Sequence, residues 1–271
     1  MKPSQIVRIV SAGFLCTIFL AGLFAGGVTR YSYATQFREL PNSAPSTAHF
    51  LGTDGLGRDL FARVLYGTRI SLLLAPAAAL LSTLIAGVLG ALAGLVGGWC
   101  EKVILASADL CMALPLLFVL LALRALLPLD IDPAVSVVAT FVLLGLLGWP
   151  SSLRVVWAAS RNMRRSDFVL LANATGCPHW RILVRHVLPN LRAVTFAQFW
   201  ISIPIYVLSE ATLSMLGLGV MEPLPSWGNL LRGLEDFSVV SANPWRMCPL
   251  VVLVLVVTSF QLVLPRQEEI A

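Results

Sequence analysis

The stretch ISLLLAPAAALLSTLIAGVLGALAGLVG, residues 70–97, decides the fold class. It runs for 28 residues without a charged side chain, and about 20 apolar residues suffice to cross a bilayer as a helix. The rest of the chain agrees with a lipid solvent. Of 271 residues 58% are hydrophobic and only 12% charged, against about 25% charged in soluble domains. So few charges cannot cover a water-facing surface. Backbone polar groups in lipid must be satisfied within their own segment, which selects helices. The expected fold is all-α, a polytopic membrane bundle.

Six spans follow from apolar length, at about 9–29, 70–97, 102–127, 134–150, 193–218 and 247–264. Lys2 and Arg8 precede the first run, which at about 20 residues exceeds the ~7–15 of a signal peptide core, so an uncleaved span is expected. The net charge is +5, and only Lys2 and Lys102 among the 19 basic residues are lysines. Between spans four and five lie Arg154, Arg161, Arg164, Arg165, Arg181, Arg185 and Arg192, against Asp167 alone. Basic residues collect on the cytoplasmic side, so both termini are expected inside and segments 30–69 and 219–246 outside. The arginines of 30–69 run against that rule. Gly90, Gly94 and Gly98 form a bare stripe at four-residue spacing, read as helix packing within the bundle, with a subunit interface as the alternative. Cys16, Cys100, Cys111, Cys177 and Cys248 have no metal or disulfide spacing and read as apolar fillers.

Ionisable groups within spans are functional candidates. Glu210 lies deep in span five, where a structural pair with an outward arginine is expected ahead of contact with a transported substrate. Asp109 lies near the inner end of span three, close enough to the interface to stay hydrated.

The segment LLANATGCPHWRILVRHVLPN, residues 170–190, is out of place among apolar runs. Read as an α-helix, residues 178–188 put Trp180, Leu183, Val184, Val187 and Leu188 on one face, with Arg181 and Arg185 on another. Gly176 suits a left-handed helix cap, Pro178 a first turn, and Pro189 a stop. Tethering between spans argues against a DNA-binding helix-turn-helix, and no nucleic acid is expected. A docking element for a cytoplasmic partner explains why order is built into a loop. His179 and His186 read as polar-face residues. No phosphate-binding loop, catalytic constellation or metal cluster is evident, so neither an enzyme nor a resident cofactor is expected.

Residues 171–190 resemble the EAA loop of ABC-importer permeases, with Gly176, Leu188 and Pro189 matching its pattern. HFLGTDGLGRDLFARVLYGTRISL, residues 49–72, and EATLSMLGLGVMEPLPSWGNLL, residues 210–231, resemble the second-permease type of the dipeptide, oligopeptide and nickel branch. The resemblance covers about residues 35–235. It implies an N-terminal span and outward segment over 1–69, a permease domain over 70–265 and a short cytoplasmic tail over 266–271. The coupling loop would occupy about 166–190 and an outward hairpin about 219–246. It further implies a bacterial inner-membrane location, a second homologous permease subunit, two cytoplasmic ATPase subunits that bind the ATP, and an extracytoplasmic substrate-binding protein. Coupling residues would be Ala172, Gly176, Trp180, Arg181, Leu183, Val184, Arg185, Leu188 and Pro189. The expected cargo is a di- or oligopeptide, with nickel or a metal chelate as the alternative. A non-transporting scaffold that recruits a cytoplasmic partner is the alternative of another class. Two departures stand out. Leu170 and Leu171 replace the first two residues of the loop's Glu-Ala-Ala, leaving Asp167 as the nearest acid, and the charged tail of many relatives is missing.

Overall fold

The computed structural model describes residues 3–126, 132–235 and 237–264; the expected tail over 266–271 lies outside them. Among the described residues there is no β-strand. The helices are α1 (Pro3–Leu23), α2 (Ala25–Val28), α3 (Leu60–Val96), α4 (Gly98–Ala113), α5 (Leu116–Ala125), α6 (Pro133–Leu147), α7 (Trp149–Met163), α8 (Asp167–Ala174), α9 (His179–Ile182), α10 (Leu188–Met215), α11 (Trp227–Arg232), α12 (Phe237–Ala242) and α13 (Cys248–Val263). A π-helical turn, Leu183–Val187, joins α9 to α10. Among the described residues five helical stretches are long and apolar enough to cross a membrane, and six if a bent pair counts as one.

The bent pair is the expected third span. α4 and α5 meet at 82° across Leu114 and Pro115. Proline lacks an N–H and pushes the preceding residue out of helical geometry; Leu114 is extended, with ψ 128°. The second span begins at Leu60, ten residues ahead of the expected Ile70. Arg63 and Arg69 obscure that start in the sequence, yet Leu60, Ala62, Val64 and Leu65 are buried. Likewise, the expected fourth span continues through α7 to Met163.

The chain divides into two compact units. The first comprises Met1–Ala75, Leu127–Thr140 and Pro204–Ala271, the second Pro76–Leu126 and Phe141–Ile203. In the first unit α1 packs along α13, which also meets α11. Residues 30–59 have no long helix and are held by polar contacts instead. His49 Nδ1 lies 2.9 Å from Asp59 Oδ1, both side chains being buried, and Asp59 also accepts from the backbone N–H of Ala62.

In the second unit α4 packs on α7. The glycine stripe is used here. A Cβ on Gly90 would stand 2.9 Å from the Leu153 carbonyl oxygen, and one on Gly94 2.6 Å from the Cβ of Ser160. The stripe thus brings α3 against α7 within one chain, while at Gly98 nothing approaches. Ser160 Oγ donates to the Ala91 carbonyl at 2.8 Å across this contact, a bond made possible by the missing side chains.

Candidate functional site

The segment from Asp167 to Leu191 folds as helix, turn and helix on the second unit. α8 starts after extended Ser166, with Asp167 in its first turn, where a carboxylate favours the helix dipole. It ends in a Schellman motif: the Cys177 N–H bonds the Ala172 carbonyl and the Gly176 N–H that of Asn173, both at 3.0 Å. Gly176 has φ +74°, and a Cβ there would touch nothing. Backbone sign, not space, therefore requires glycine, as the cap pattern anticipated. Pro178 is extended and caps α9, so that helix begins one residue later than expected, at His179.

Pro189 does not stop the helix. Helical backbone runs from His179 to Met215, with the π turn immediately before the proline. The Leu188 N–H bonds the Leu183 carbonyl, five residues back. Proline in a regular helix clashes with the carbonyl four residues earlier and loses a bond, at about 3 kcal/mol. A widened turn relieves that crowding.

The π turn also divides the expected apolar face. Ile182 and Val187, five apart, are fully buried with Ala91, Leu95, Val156, Val169 and Leu191; Ala172, Cys177, Leu183 and Leu188 pack against this cluster. Burying each such aliphatic side chain is worth roughly 1.5–3 kcal/mol, so the element is anchored firmly. Trp180 and Val184 point away, 63% and 57% exposed. Phe168, Leu170 and Leu171 are exposed as well. Arg181 and Arg185 are exposed, the former with its guanidinium carbon 5.5 Å from the Trp180 ring centroid. The α-helical period missed Ile182 and Val169 as anchors and grouped the buried Val187 on one face with the exposed Trp180 and Val184, because it assumes a uniform turn. The outcome is an anchored element that exposes an apolar surface beside a cationic rim.

Two of the arginines used to orient the chain are engaged structurally. Arg154 of α7 pairs with Asp109 of α4, and both are about half exposed. The Trp157 indole N–H donates to Glu101 at 2.9 Å, and Arg161 lies 3.7 Å from that carboxylate. Asp109 is thus half exposed, with a partner on α7.

Glu210 departs from expectation. It is fully buried in the first unit, and its Oε1 accepts from Ser214 Oγ at 2.6 Å rather than from an arginine. Ser214 Oγ in turn accepts from the Val220 N–H at 3.1 Å, tying the end of α10 to the loop that follows. The loop is also fixed by a Ser226–Asn229 capping box on α11 and by Trp227 Nε1 donating to Thr68 Oγ1 at 3.1 Å. In this unit Glu222, absent from the sequence expectations, holds two arginines. It contacts Arg58 Nη1 at 2.6 Å and Arg63 Nη2 at 2.8 Å. No local pattern signals a pair 164 residues apart.

Residues 86–266 match the family described as binding-protein-dependent transport system inner membrane component. The chain belongs to this family. It is therefore a multi-pass inner-membrane protein of the binding-protein-dependent transport class, and the exposed surface of residues 168–185 lies within the matched region. Among its relatives is a putative peptide permease protein of Brucella suis biovar 1, 38% identical over 205 residues. That match covers 76% of this chain and 66% of the relative, just under two thirds of the latter's length. The oligopeptide transport system permease protein OppC of Bacillus subtilis is 30% identical, over 90% of this chain and 77% of its own length. The glutathione transport system permease protein GsiD of Pectobacterium atrosepticum is 32% identical, over 95% and 84%.

Proposed function

We propose that this chain is one of two membrane subunits of an ATP-driven importer for di- or oligopeptides. Partner ATPases hydrolyse the ATP, an extracytoplasmic binding protein delivers the cargo, and this chain performs no chemistry of its own. The observation that carries the reading is the divided element at 167–191. Its inner side is locked by Val169, Ile182 and Val187, and its outer side presents Leu170, Leu171, Trp180 and Val184. Only a stiff element passes a partner's motion into a span; a floppy one absorbs it. In this reading the element faces the cytoplasm, with both termini on that side, and residues 30–69 and 219–246 face outward. The relatives' names supply the cargo class: peptide, oligopeptide and glutathione.

The test is Gly176→Val in the assembled complex. A β-branched residue in left-handed backbone is strained by about 1–2 kcal/mol, enough to reshape the cap without touching the anchors. ATP hydrolysis in proteoliposomes should continue while peptide uptake falls. Wild-type uptake by a complex carrying this substitution would refute the coupling role.

A further inference from the structure

A pocket of about 210 Å³ opens in the first unit, its wall including Asp54, Arg58, Arg63, Glu222, Asn229 and Arg246. The docking element makes no use of it. Among the described lining residues the charges do not cancel, because three guanidinium groups meet two carboxylates. Asp54 is spent: Oδ1 accepts from the Leu56 and Arg58 N–H groups, and Oδ2 from Arg58 Nε at 2.7 Å. Glu222 is shared between Arg58 and Arg63, yet its side chain is half exposed. Arg246 has no carboxylate partner among the described residues; its Nη1 donates to Asn42 Oδ1 at 3.0 Å. Arg58 Nη2 reaches Glu222 only at 3.5 Å, the limit of a hydrogen bond. Arg63 is 1% exposed, with its Nε unpartnered. Among the described lining residues guanidinium charge therefore exceeds carboxylate charge by one, and the surplus is partly desolvated. Leu56, Leu60 and Leu230 supply apolar wall beside it.

We propose that this pocket binds the free terminal carboxylate of a transported peptide, with Arg246 making the first contact and Arg58 Nη2 the second. The single excess positive charge matches a monoanion. Sites for drug-sized ligands span about 300–1,000 Å³, so this smaller one takes one peptide end and leaves chain length unread. Glu222 competes for Arg58, which keeps the site weak, as a passage requires. The inference rests on the peptide reading and on the outward placement of residues 30–69 and 219–246.

The experiment compares uptake of trialanine with that of its C-terminal amide by the full complex, binding protein included, in proteoliposomes. The binding protein's own preference enters wild type and variants alike, so it cancels when their acid-to-amide ratios are divided. Arg246→Gln should lower that ratio by about tenfold, the worth of a charge-assisted contact. Glu222→Gln, which frees Arg58 and Arg63, should raise it. Ratios equal to wild type in both variants overturn the proposal. An equal loss for both peptides, with weaker capture of loaded binding protein, assigns Arg246 to protein docking and overturns it too. Failure of wild type to move either peptide refutes the peptide reading itself. If Arg246→Gln does not assemble, Glu222→Gln decides alone.

Discussion

Ile182→Ala and Trp180→Ala should have opposite consequences, although the two residues are neighbours on one helix. Ile182 has no exposed surface and sits amid Val169, Val187 and Leu191. Truncating a buried isoleucine removes its transfer free energy and leaves a cavity, about 2–5 kcal/mol together. That loss falls on the docking element, whose opening should become at least about thirtyfold more frequent. Trp180 is 63% exposed, so its truncation should shift opening little. It should instead weaken ATPase binding, where an exposed tryptophan at a docking surface is worth about 2–4 kcal/mol. Hydrogen exchange of the amides of residues 167–187, in nanodiscs without the ATPase, reads the first effect. Retention of the ATPase through purification reads the second. Accelerated exchange in Trp180→Ala with native exchange in Ile182→Ala would invert the assignment of inner and outer sides and refute the role given to the π turn.

Two other substitutions test the packing. Gly94→Leu forces a side chain into Ser160 and the backbone N–H of Arg161, both within 2.7 Å of its Cβ; neither backbone can yield cheaply, so assembled protein should be lost, and native yield with an unchanged thermal midpoint would contradict the contact. Glu210→Gln keeps an acceptor for Ser214 and should melt close to wild type, whereas Glu210→Leu removes it and should lose about 1–3 kcal/mol; equal midpoints for the two would remove the structural role assigned to this carboxyl.

Much of this organisation is legible from local rules. Apolar length located the spans, the four-residue glycine spacing marked the α3–α7 contact, and Gly176 announced a left-handed cap. Each depends on residues close in sequence. Pro189 misled because its usual meaning holds for regular helices, and the widened turn ahead of it alters the geometry that proline offends. Arg63 hid the start of α3, since hydropathy charges full cost for an arginine whose partner, Glu222, arrives 159 residues later. The exposed Leu170 escaped the helical-face pattern for a simpler reason. In a chain whose solvent is mostly lipid, an apolar residue does not declare whether it faces lipid, core or partner.

The Arg63–Glu222 bond also sets an order of events during synthesis. At about 5–20 residues per second, the ribosome adds the intervening 159 residues in roughly 8–32 s. Throughout that interval the nearby Asp54 carboxylate, 3.4 Å from Arg63 Nη1 in the finished fold, is available to hold the arginine. The segment around Arg63 therefore waits on a provisional clasp, and its permanent fastening belongs to the last third of translation. A nascent chain halted ahead of Glu222 would carry this arginine without its Glu222 bond.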